Sequence, residues 1–448
     1  MNLPIEFENK MKSLLGDHYE SFKLSLEKPQ EKAITVNFCR ASKETFESLA
    51  DFDYSPIEKV DNGYYVNSFK FGNHILNHAG IIYSQEPSAM YPVELLNIKN
   101  NELVLDLCAA PGGKSIQILE KLNNTGLLVS NEIVYNRAKI LYENLNRMGF
   151  KNFAITCENP KNFENLGIKF DKILIDAPCG GEGMFRKDNF DFNAYKIETI
   201  ETNSKRQLAI LNSAKNLLKD GGRLVYSTCT YDIQENEQVI ANFLNENNNF
   251  KLVEINDFEN VLTHGIDTDG INTSLTFRRY PHLHRGEGQY MAVLEKLGNE
   301  SHTEEKFYCL GYGGINRKDE QILNNAFKNV ADISKLNIIR KDNTYYTCPD
   351  YTINFGKLNL LTIGCVIGTY NNNVFKINHT FYHTYGDLFY NHINLDDNQI
   401  NKYLHGEELD IDNFKDAIVV VKYQGLVIGG GKITKGKLKN YYPKELRI

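Results

Sequence analysis

The sequence lacks the features that mark membrane and secreted proteins. No apolar run reaches the roughly 20 residues that a helix needs to span a bilayer, and the first 20 residues mix charged and apolar side chains instead of forming the apolar core of a signal peptide. Eight cysteines are spread over 448 residues without a CxxC pair, which disfavours both a zinc site and a disulfide framework. We therefore expect a cytoplasmic protein that makes no membrane contact and holds no metal.

Basic residues are slightly outnumbered by acidic ones, 50 against 57. The formal net charge is -7 and the isoelectric point is near 5.9, so the chain as a whole does not attract polyanions. A local basic patch could still bind nucleic acid within an acidic chain. Net charge therefore neither predicts nor excludes a nucleic-acid partner.

The pattern of apolar residues changes along the chain. The stretch to about Phe22 reads as a helix, and a small α+β region follows, with strands at 33–38 and 64–69 and a helix at 43–50. From Glu102 strands and helices alternate, which predicts an α/β domain with a mostly parallel, doubly wound sheet. Its predicted strands are 103–107, 127–132, 153–157, 172–178, 223–228 and 290–295, and its clearest predicted helices are 136–148 and 204–218.

A polar segment at 297–306 reads as a linker. Beyond it the pattern predicts a further α+β region and then a strand-rich terminus. The length fits two or three domains, and we place the boundaries as follows: an N-terminal α+β domain (1–92), the α/β domain (93–297), a second α+β domain (298–385) and a terminal domain (386–448).

A turn of small residues follows the first strand of the α/β domain. Ala109, Ala110, Gly112 and Gly113 would let a ligand approach the backbone, and the helix that follows would favour an anionic group. A tight turn without a ligand explains the same residues equally well. Pro111 lies within the turn and the GxGxxG pattern is absent, which argues against an NAD-dependent oxidoreductase.

Glu132 ends the next predicted strand. It lies at about the distance from the turn at which an acidic residue can bind a ribose. Together with the turn it fits an adenosine-containing cofactor, although taken alone such an acid is more often only a residue at a strand end.

Two later strands end in loops that each carry a cysteine, Cys179 and Cys229. A thiol at a strand end near a helix N-terminus can exist partly as the nucleophilic thiolate. With an acid such as Asp176, it would suit methylation of cytosine at carbon 5, in which a thiolate adds to carbon 6 and an acid stabilises the adduct at N3. Two structural cysteines remain the alternative, and the chemistry does not choose between the two thiols.

Five segments carry specific motifs: GIIYSQEPSAMYP, DLCAAPGGKS, SNE with NRAKILYENLNRMG, DKILIDAPCGGEGMFRKD and KDGGRLVYSTCTYDIQENEQVI. In this order they resemble the Nop/Sun (Fmu-type) family of RNA cytosine-5 methyltransferases. The resemblance extends from about Leu3 to Ile448, because RRYPHLHRGEGQYMAVLE and GGGKITKGKLKNYYPKELR are similar to a bacterial RsmF-like subgroup. Members of that subgroup methylate 16S rRNA of the small ribosomal subunit.

The resemblance implies a Rossmann-like class I methyltransferase domain that uses S-adenosyl-L-methionine, and a PUA-like RNA-binding domain at the C-terminus. It implies that Cys229 is the nucleophile and that Cys179 assists release of the product. Asp176 would face the cofactor, the reactive centre and the target base, and Glu132 would bind the ribose hydroxyls. The residues expected to form the cofactor loop are Cys108, Ala109, Ala110, Pro111, Gly112, Gly113 and Lys114.

The sequence departs from the family at one position near the adenine. The family usually has an aspartate there, whereas this chain has Asn159 with Glu158 beside it. The side-chain oxygen of Asn159 could still accept a hydrogen bond from the adenine amino group.

Contacts to RNA are expected in two regions. The target cytosine must be unpaired or flipped out of its stack, and basic residues near the active site could hold the flanking backbone. For any one of them a solvated surface charge is the ordinary explanation, and His282 lacks the partners of a metal site. The candidates are Arg186, Lys187, Arg278, Arg279, His282 and Arg285, with Lys432, Lys435, Lys437 and Lys439 in the terminal domain.

Two alternatives stay open at this point. A tRNA could be the substrate, because the catalytic motifs do not exclude it and only the C-terminal resemblance favours 16S rRNA. A non-catalytic RNA-binding or ribosome-assembly protein could keep the same fold, although both cysteines and the intact cofactor loop argue against it. A monomer is the simplest expectation, since the reaction needs no second active site.

Overall fold

The computed structural model describes residues 3–67, 70–164, 167–186, 196, 198–298, 308–309, 311–349 and 353–448. Among these residues, no helix is both long enough and apolar enough to cross a membrane.

The chain begins with two helices where the sequence predicts one. Gly16 ends the first helix with a φ of +51°, in the left-handed region that glycine adopts at little cost. An antiparallel four-stranded sheet follows. The elements are α1 (Ile5–Leu15), α2 (Tyr19–Leu26), β1 (Lys32–Val36), α3 (Lys43–Leu49), β2 (Tyr54–Pro56), β3 (Gly63–Val66), α4 (Ile75–His78), β4 (Ile82–Ser84) and α5 (Tyr91–Leu96), with the strands in the order β2-β3-β1-β4.

The central region contains the predicted alternation of strands and helices. Some boundaries differ from the prediction by a few residues. The helix expected at 204–218 spans Thr199–Ala214, and the strand expected from residue 223 begins at Leu218, which pairs with Phe170 in the sheet. The elements are β5 (Leu103–Asp106), α6 (Gly113–Leu122), β6 (Leu127–Asn131), α7 (Tyr135–Met148), β7 (Phe153–Thr156), β8 (Phe170–Asp176), α8 (Thr199–Ala214), β9 (Leu218–Thr228), α9 (Glu237–Glu246), β10 (Phe250–Leu252), β11 (Thr263–His264), β12 (Thr276–Arg279) and β13 (Gln289–Lys296).

The C-terminal region forms two five-stranded sheets and one two-stranded sheet, and it contributes one strand to the central sheet. Its elements are β14 (Tyr308–Cys309), β15 (Gly313–Gly314), α10 (Arg317–Phe327), β16 (Ile338–Lys341), β17 (Thr344–Thr347), β18 (Asn354–Gly356), β19 (Leu360–Ile363), β20 (Val366–Asn371), β21 (Val374–Ile377), α11 (His379–Tyr385), β22 (His392–Asn394), α12 (Asp397–Leu404), β23 (Leu409–Asp410), β24 (Ala417–Tyr423), β25 (Leu426–Thr434) and β26 (Lys437–Asn440). The two sheets have the orders β15-β16-β17-β20-β21 and β22-β24-β25-β26-β23.

The central sheet has the order β11-β12-β13-β9-β8-β5-β6-β7-β19, with β10 beside β13. Strands β5 to β9 pair in parallel, which confirms the predicted doubly wound α/β sheet. Their side chains are buried on both faces, as in the completely buried Leu105, Val129 and Ile173. Antiparallel strands lie at both ends of the sheet.

One edge of the central sheet is completed by β19, which comes from the C-terminal half of the chain. The amide of Gly364 donates to the carbonyl of Phe153 at 2.7 Å, and the amide of Cys157 donates to that of Asn359 at 3.0 Å. Strand β19 thereby covers the hydrogen-bonding groups that β7 would otherwise expose. The α/β sheet thus includes a segment that the sequence placed in the following domain.

The N-terminal and C-terminal sheets share one apolar core. Ile34 of β1 belongs to the same buried cluster as Ile428 of β25. The hydroxyl of Tyr442 lies 2.8 Å from Nδ1 of His78 across this contact, and Arg40 donates to the carbonyls of Ala79 and Val427. The two ends of the chain therefore pack against each other beside the central sheet.

Candidate active site

The candidate site lies where the strand order reverses. From β5 the chain continues to β6 on one side, whereas β8 lies on the other, and ligands of doubly wound sheets bind at this switch point. A cavity of about 640 Å³ opens there, a size typical of small-molecule sites. The predicted residues that line it are Cys108, Ala110, Glu132, Asn159, Asp176, Cys179 and Cys229.

The predicted cofactor loop connects β5 with α6. The amide of Ala109 donates to the carbonyl of Asn131 at 2.8 Å and so ties the loop to β6. Gly112 has a φ of +119°, and a Cβ there would lie 3.0 Å from Leu141, so the position requires glycine. Other residues of the loop border a second cavity of about 240 Å³; these are Ala109, Pro111, Gly113 and Lys114.

Glu132 is buried directly after β6, with 3% of its surface exposed. Its Oε1 accepts a hydrogen bond from the amide of Val134 at 3.0 Å, and Arg137 lies 3.2 Å from its Oε2. Arg137 also donates to the carbonyl of Ala110 at 2.8 Å. Arg137 therefore links the acid to the cofactor loop, a role that sequence reasoning missed although the residue lies in the first turn of α7.

Asn159 and Glu158 point in different directions. Asn159 lines the cavity, and its side-chain oxygen already accepts a hydrogen bond from the amide of Lys161 at 3.1 Å. The carboxylate of Glu158 accepts hydrogen bonds from the amide of Asn359 at 2.7 Å and from the side chain of Asn162. This geometry favours Asn159 over Glu158 as the residue beside a bound adenine.

Asp106 at the end of β5 is a buried acid that sequence reasoning did not single out. Only 1% of it is exposed, and this burial raises its pKa to about 7. The hydroxyl of Ser115 donates to Oδ2 at 2.7 Å, whereas Oδ1 has no partner among the described residues. The sequence does contain a signal for this residue, because Asp106 lies at the end of an apolar strand.

Asp176 is held by three side chains at the end of β8. Lys114 donates to Oδ2 at 2.7 Å, and Ser227 donates to Oδ1 at 2.7 Å, with the amide group of Gln289 at 3.4 Å. Burial lowers the pKa of Lys114, but the charge of Asp176 and its hydrogen bond outweigh that effect and raise it overall. Lys114 is therefore a cation at neutral pH, paired with an acid that lines the same cavity as Cys179 and Cys229.

Cys179 and Cys229 form a close pair of free thiols. Their sulfur atoms lie 3.4 Å apart, and both residues are half-buried. The hydrogen bond to Cys229, together with burial, raises the pKa of Cys179 well above its usual value. Burial and the contact with Cys229 therefore favour the protonated form of Cys179.

A buried glutamate supports the loop that carries Cys179. Both carboxylate oxygens of Glu235 accept from the amide of Gly180, at 3.1 and 3.2 Å, and Gln207 donates to it at 2.7 Å. The same amide group of Gln207 donates to the carbonyl of Pro178 at 3.0 Å. Burial raises the pKa of Glu235 to about 7. Sequence reasoning missed this support, although Glu235 lies in the motif that contains Cys229.

Three of the arginines expected to contact RNA are internal, which corrects that expectation. Arg278 and Arg279 are 1% and 2% exposed, and the Arg186 side chain is 4% exposed. Arg278 pairs with Glu237, and Arg186 pairs with Glu287. A phosphate contact requires an accessible cation, so these residues stabilise the fold instead.

The remaining residues near the active site that were expected to contact RNA differ in their surroundings. His282 packs edge-on against Phe22, and burial lowers its pKa to about 4, so it carries no positive charge at neutral pH. Arg285 is about half exposed, lies 2.9 Å from Glu31 and stacks over the ring of Tyr65, and its contact with RNA stays a prediction. Lys187 lies outside the described residues.

We predict that Arg278→Ala lowers the free energy of unfolding by about 3–5 kcal/mol, because the change leaves the carboxylate of Glu237 buried without its cation. Urea denaturation followed by circular dichroism measures this. Arg285→Ala is the matched control and should cost about 1 kcal/mol or less, since its ion pair is exposed. If Arg278→Ala left the stability unchanged but weakened binding of RNA, the result would show that Arg278 contacts RNA directly.

Comparison with known proteins identifies relatives along most of the chain. Family models for the 16S rRNA methyltransferase RsmB/F, the N-terminal domain of 16S rRNA methyltransferase RsmF and the methyltransferase RsmF PUA domain match residues 93–295, 3–87 and 390–448. The ribosomal RNA small subunit methyltransferase F of Shewanella oneidensis is 30% identical over 448 residues, which cover 95% of this chain and 93% of that protein. The protein of the same name from Vibrio vulnificus is 29% identical over 468 residues, covering 99% and 97%.

A solved structure is similar to the central part of the fold. It is a methyltransferase homolog protein from Pyrococcus horikoshii, 27% identical, with a TM-score of 0.58 over 65% of this chain and 94% of that one.

Proposed function

The chain belongs to the ribosomal RNA small subunit methyltransferase F family, and from this premise we propose that it methylates carbon 5 of a cytosine in 16S rRNA in the cytoplasm. Membership confirms the resemblance found in the sequence, the methyltransferase fold and the PUA domain at the C-terminus. The observation that carries the choice of carbon 5 is the pair of thiols 3.4 Å apart beside the cofactor cavity.

The cofactor is S-adenosylmethionine, and the residues of the cavity suit its parts. Glu132 is fixed by Val134 and Arg137 where it can accept hydrogen bonds from ribose hydroxyls, and Asn159 lies where it can meet the adenine. Cys108 and Ala110 are small enough to let the backbone contact the methionine part. When bound, the cofactor supplies an electrophilic methyl group.

Cys229 acts as the nucleophile in the proposed reaction. Its thiolate forms a bond to carbon 6 of the cytosine, the electron pair of the 5,6 double bond moves to carbon 5, and N3 takes up a proton. The family resemblance assigns the attack to Cys229, and the raised pKa of Cys179 favours the thiol form of that residue. Its S–H can instead donate to the Cys229 thiolate and hold it in place.

Lys114 and Asp176 supply the polar contacts to the base. Their pair lies beside the two cysteines and contains the ammonium proton that N3 requires. Ser227 fixes the other carboxylate oxygen at 2.7 Å, so the pair is oriented before the base arrives. Such preorganised charges contribute strongly where water is excluded.

Cys179 assists release of the product. Once Cys229 is a thioether, the hydrogen bond that raises the pKa of Cys179 is weakened, and Cys179 can lose its proton to solvent. Its thiolate then removes the proton from carbon 5. By this point carbon 5 carries the transferred methyl group as well as its original hydrogen. The electrons of that carbon–hydrogen bond restore the 5,6 double bond, Cys229 leaves carbon 6 as a thiolate, and N3 returns its proton to the Lys114–Asp176 pair.

Bisulfite sequencing of total RNA, with and without the gene, tests the substrate. The reaction leaves 5-methylcytosine in 16S rRNA, and this base resists bisulfite conversion. We therefore expect at least one 16S cytosine to be protected from conversion when the gene is present and to be converted when the gene is absent. A lost tRNA signal would establish the tRNA alternative instead, and unchanged RNA would favour a non-catalytic RNA-binding or assembly protein.

We predict that the protein forms a covalent complex with RNA containing 5-azacytidine, and that Cys229→Ala abolishes it because no thiolate remains to add to carbon 6. Cys179→Ala should accumulate covalent complex with ordinary RNA, since release is blocked. Denaturing gels with labelled RNA measure both. Cys157→Ala, a half-buried thiol after β7, is the matched control and should behave as wild type. Complex formation without Cys229, or normal turnover without Cys179, would contradict the assigned roles.

We predict that Glu132→Gln weakens binding of S-adenosylmethionine by about tenfold or more, because hydrogen bonds to a charged acceptor are lost. Isothermal titration calorimetry measures the dissociation constant. Glu158→Gln makes the same chemical change next to Asn159 but outside the cavity, and it should alter affinity by less than about twofold. Equal losses in the two variants would show that Glu132 has no specific role.

A further inference from the structure

One lysine of the first helix contacts both loops that carry the reactive thiols. We call these the first cysteine loop (177–186) and the second cysteine loop (229–236). Lys10 of α1 donates to a carboxylate oxygen of Glu182 in the first loop and, at 2.8 Å, to Oδ2 of Asp232 in the second. The same cation therefore joins the two loops from outside the α/β domain.

The sequence places these two acids symmetrically. Glu182 lies three residues after Cys179, and Asp232 has the corresponding position after Cys229. Both acids are buried. Carboxylates that face each other in a buried position repel strongly unless a cation lies between them. Lys10 therefore replaces a repulsion between the loops with an attraction.

Glu182 also binds the second cysteine loop directly. Its Oε2 accepts hydrogen bonds from the hydroxyl of Thr230 at 3.0 Å and from the amide of Tyr231 at 3.1 Å. Beside this contact, the amide of Gly183 donates to the carbonyl of Cys229 at 2.8 Å. Lys10 thus completes an interface between the loops that starts at the cysteine itself.

Apolar packing holds α1 over the same two loops. Phe7 lies one turn before Lys10 on the same face of the helix. Its ring centroid lies 4.7 Å from that of Phe185 in the first loop and 6.4 Å from that of Tyr231 in the second. All three rings are buried in one apolar cluster. The position of Lys10 is therefore fixed by packing as well as by its ion pairs.

We propose that Lys10 is a positioning residue for the reaction: it holds the two cysteine loops together, so that Cys179 stays within reach of carbon 5 while Cys229 is bound to carbon 6. This inference rests on the proposed function, because it takes the two thiols as the reacting groups. Cys229 directly follows β9, whereas Cys179 lies three residues beyond the end of β8. Loss of Lys10 therefore displaces Cys179 more than Cys229 and slows release more than attack.

The test uses the full-length protein and measures the spacing of the thiols directly. A bifunctional thiol reagent that fluoresces only after both of its arms have reacted reports how close Cys179 and Cys229 lie, and mass mapping of the linked peptides identifies the pair. Lys10→Met removes the cation, and Lys10→Arg keeps it. Lys23→Met is the matched control, because Lys23 pairs with Glu8 at 2.7 Å within the two N-terminal helices. Thermal unfolding and binding of S-adenosylmethionine show that each variant is folded.

We expect Lys10→Met to cross-link about tenfold or more slowly, because a displacement of about 1 Å is enough to slow a reaction between two groups by one to two orders of magnitude. Lys10→Arg should stay within about threefold of the wild type, since a guanidinium can bind both carboxylates. Lys23→Met should match the wild type.

Methylation of a 16S transcript gives a second readout. Lys10→Met should lower kcat and KM in parallel and leave kcat/KM unchanged, because only a step after the attack is slowed. It should also accumulate covalent complex with ordinary RNA. A variant that merely contained less folded enzyme would show a lower kcat at an unchanged KM.

A reciprocal exchange keeps the proposal testable if Lys10→Met does not fold. In Asp232→Asn the side chain must give up the hydrogen bond from Lys10 or the one from the amide of Gln234, because an amide has a single acceptor oxygen. Cross-linking should then slow by about threefold or more. In Lys10→Met/Asp232→Asn the amide nitrogen can donate to Glu182, so the rate should return toward that of the wild type. Such recovery requires that the two positions act through one contact.

Four results would overturn the proposal. They are a Lys10→Met protein that cross-links like Lys23→Met, equal losses in Lys10→Met and Lys10→Arg, additive losses in the double variant, and a fall in kcat at an unchanged KM. Failure of the proposed function is distinguishable, because cross-linking requires neither RNA nor methyl transfer. A protein whose thiols separated on loss of Lys10 but that methylated no cytosine would refute the activity and leave the contact between the loops in place.

Discussion

The active site depends on the register in which β8 pairs with β9. Asp176 lies opposite Ser227, and their side chains are hydrogen-bonded at 2.7 Å. Cys179 follows Asp176 by three residues, and Cys229 follows Ser227 by two. The loops after the two strands therefore meet, with the two sulfur atoms 3.4 Å apart. A shift of one residue would turn each side chain to the other face of the sheet and would separate the acid from both thiols.

Several buried acids lie around this register. Burial raises the pKa values of Asp106 and Glu235 to about 7, so neither adds a full negative charge near the thiols at neutral pH. Lys114 balances the charge of Asp176 at 2.7 Å, and Arg137 lies 3.2 Å from Glu132 in the same cavity. Charges of this kind interact strongly where water is excluded.

Local patterns in the sequence predicted the parallel strands, the turn between β5 and α6 and the strand-end positions of both cysteines, because each depends on a short segment whose neighbours are close along the chain. The structural roles of Arg278 and Arg186 were not predictable in the same way. Their carboxylate partners, Glu237 and Glu287, are 41 and 101 residues away, and a basic motif looks the same whether it faces solvent or an internal acid. The end of α8 differs from the prediction for a similar reason, because Leu218 pairs with Phe170 of β8.

Strand β19 has a consequence for the order of events during synthesis. Chains leave the ribosome from the N-terminus, yet the outer edge of β7 is covered only by residues that end at Ile363. The nascent catalytic half therefore spends the time needed to translate about 200 further residues with an open strand edge, a state in which sheets pair with the wrong neighbour.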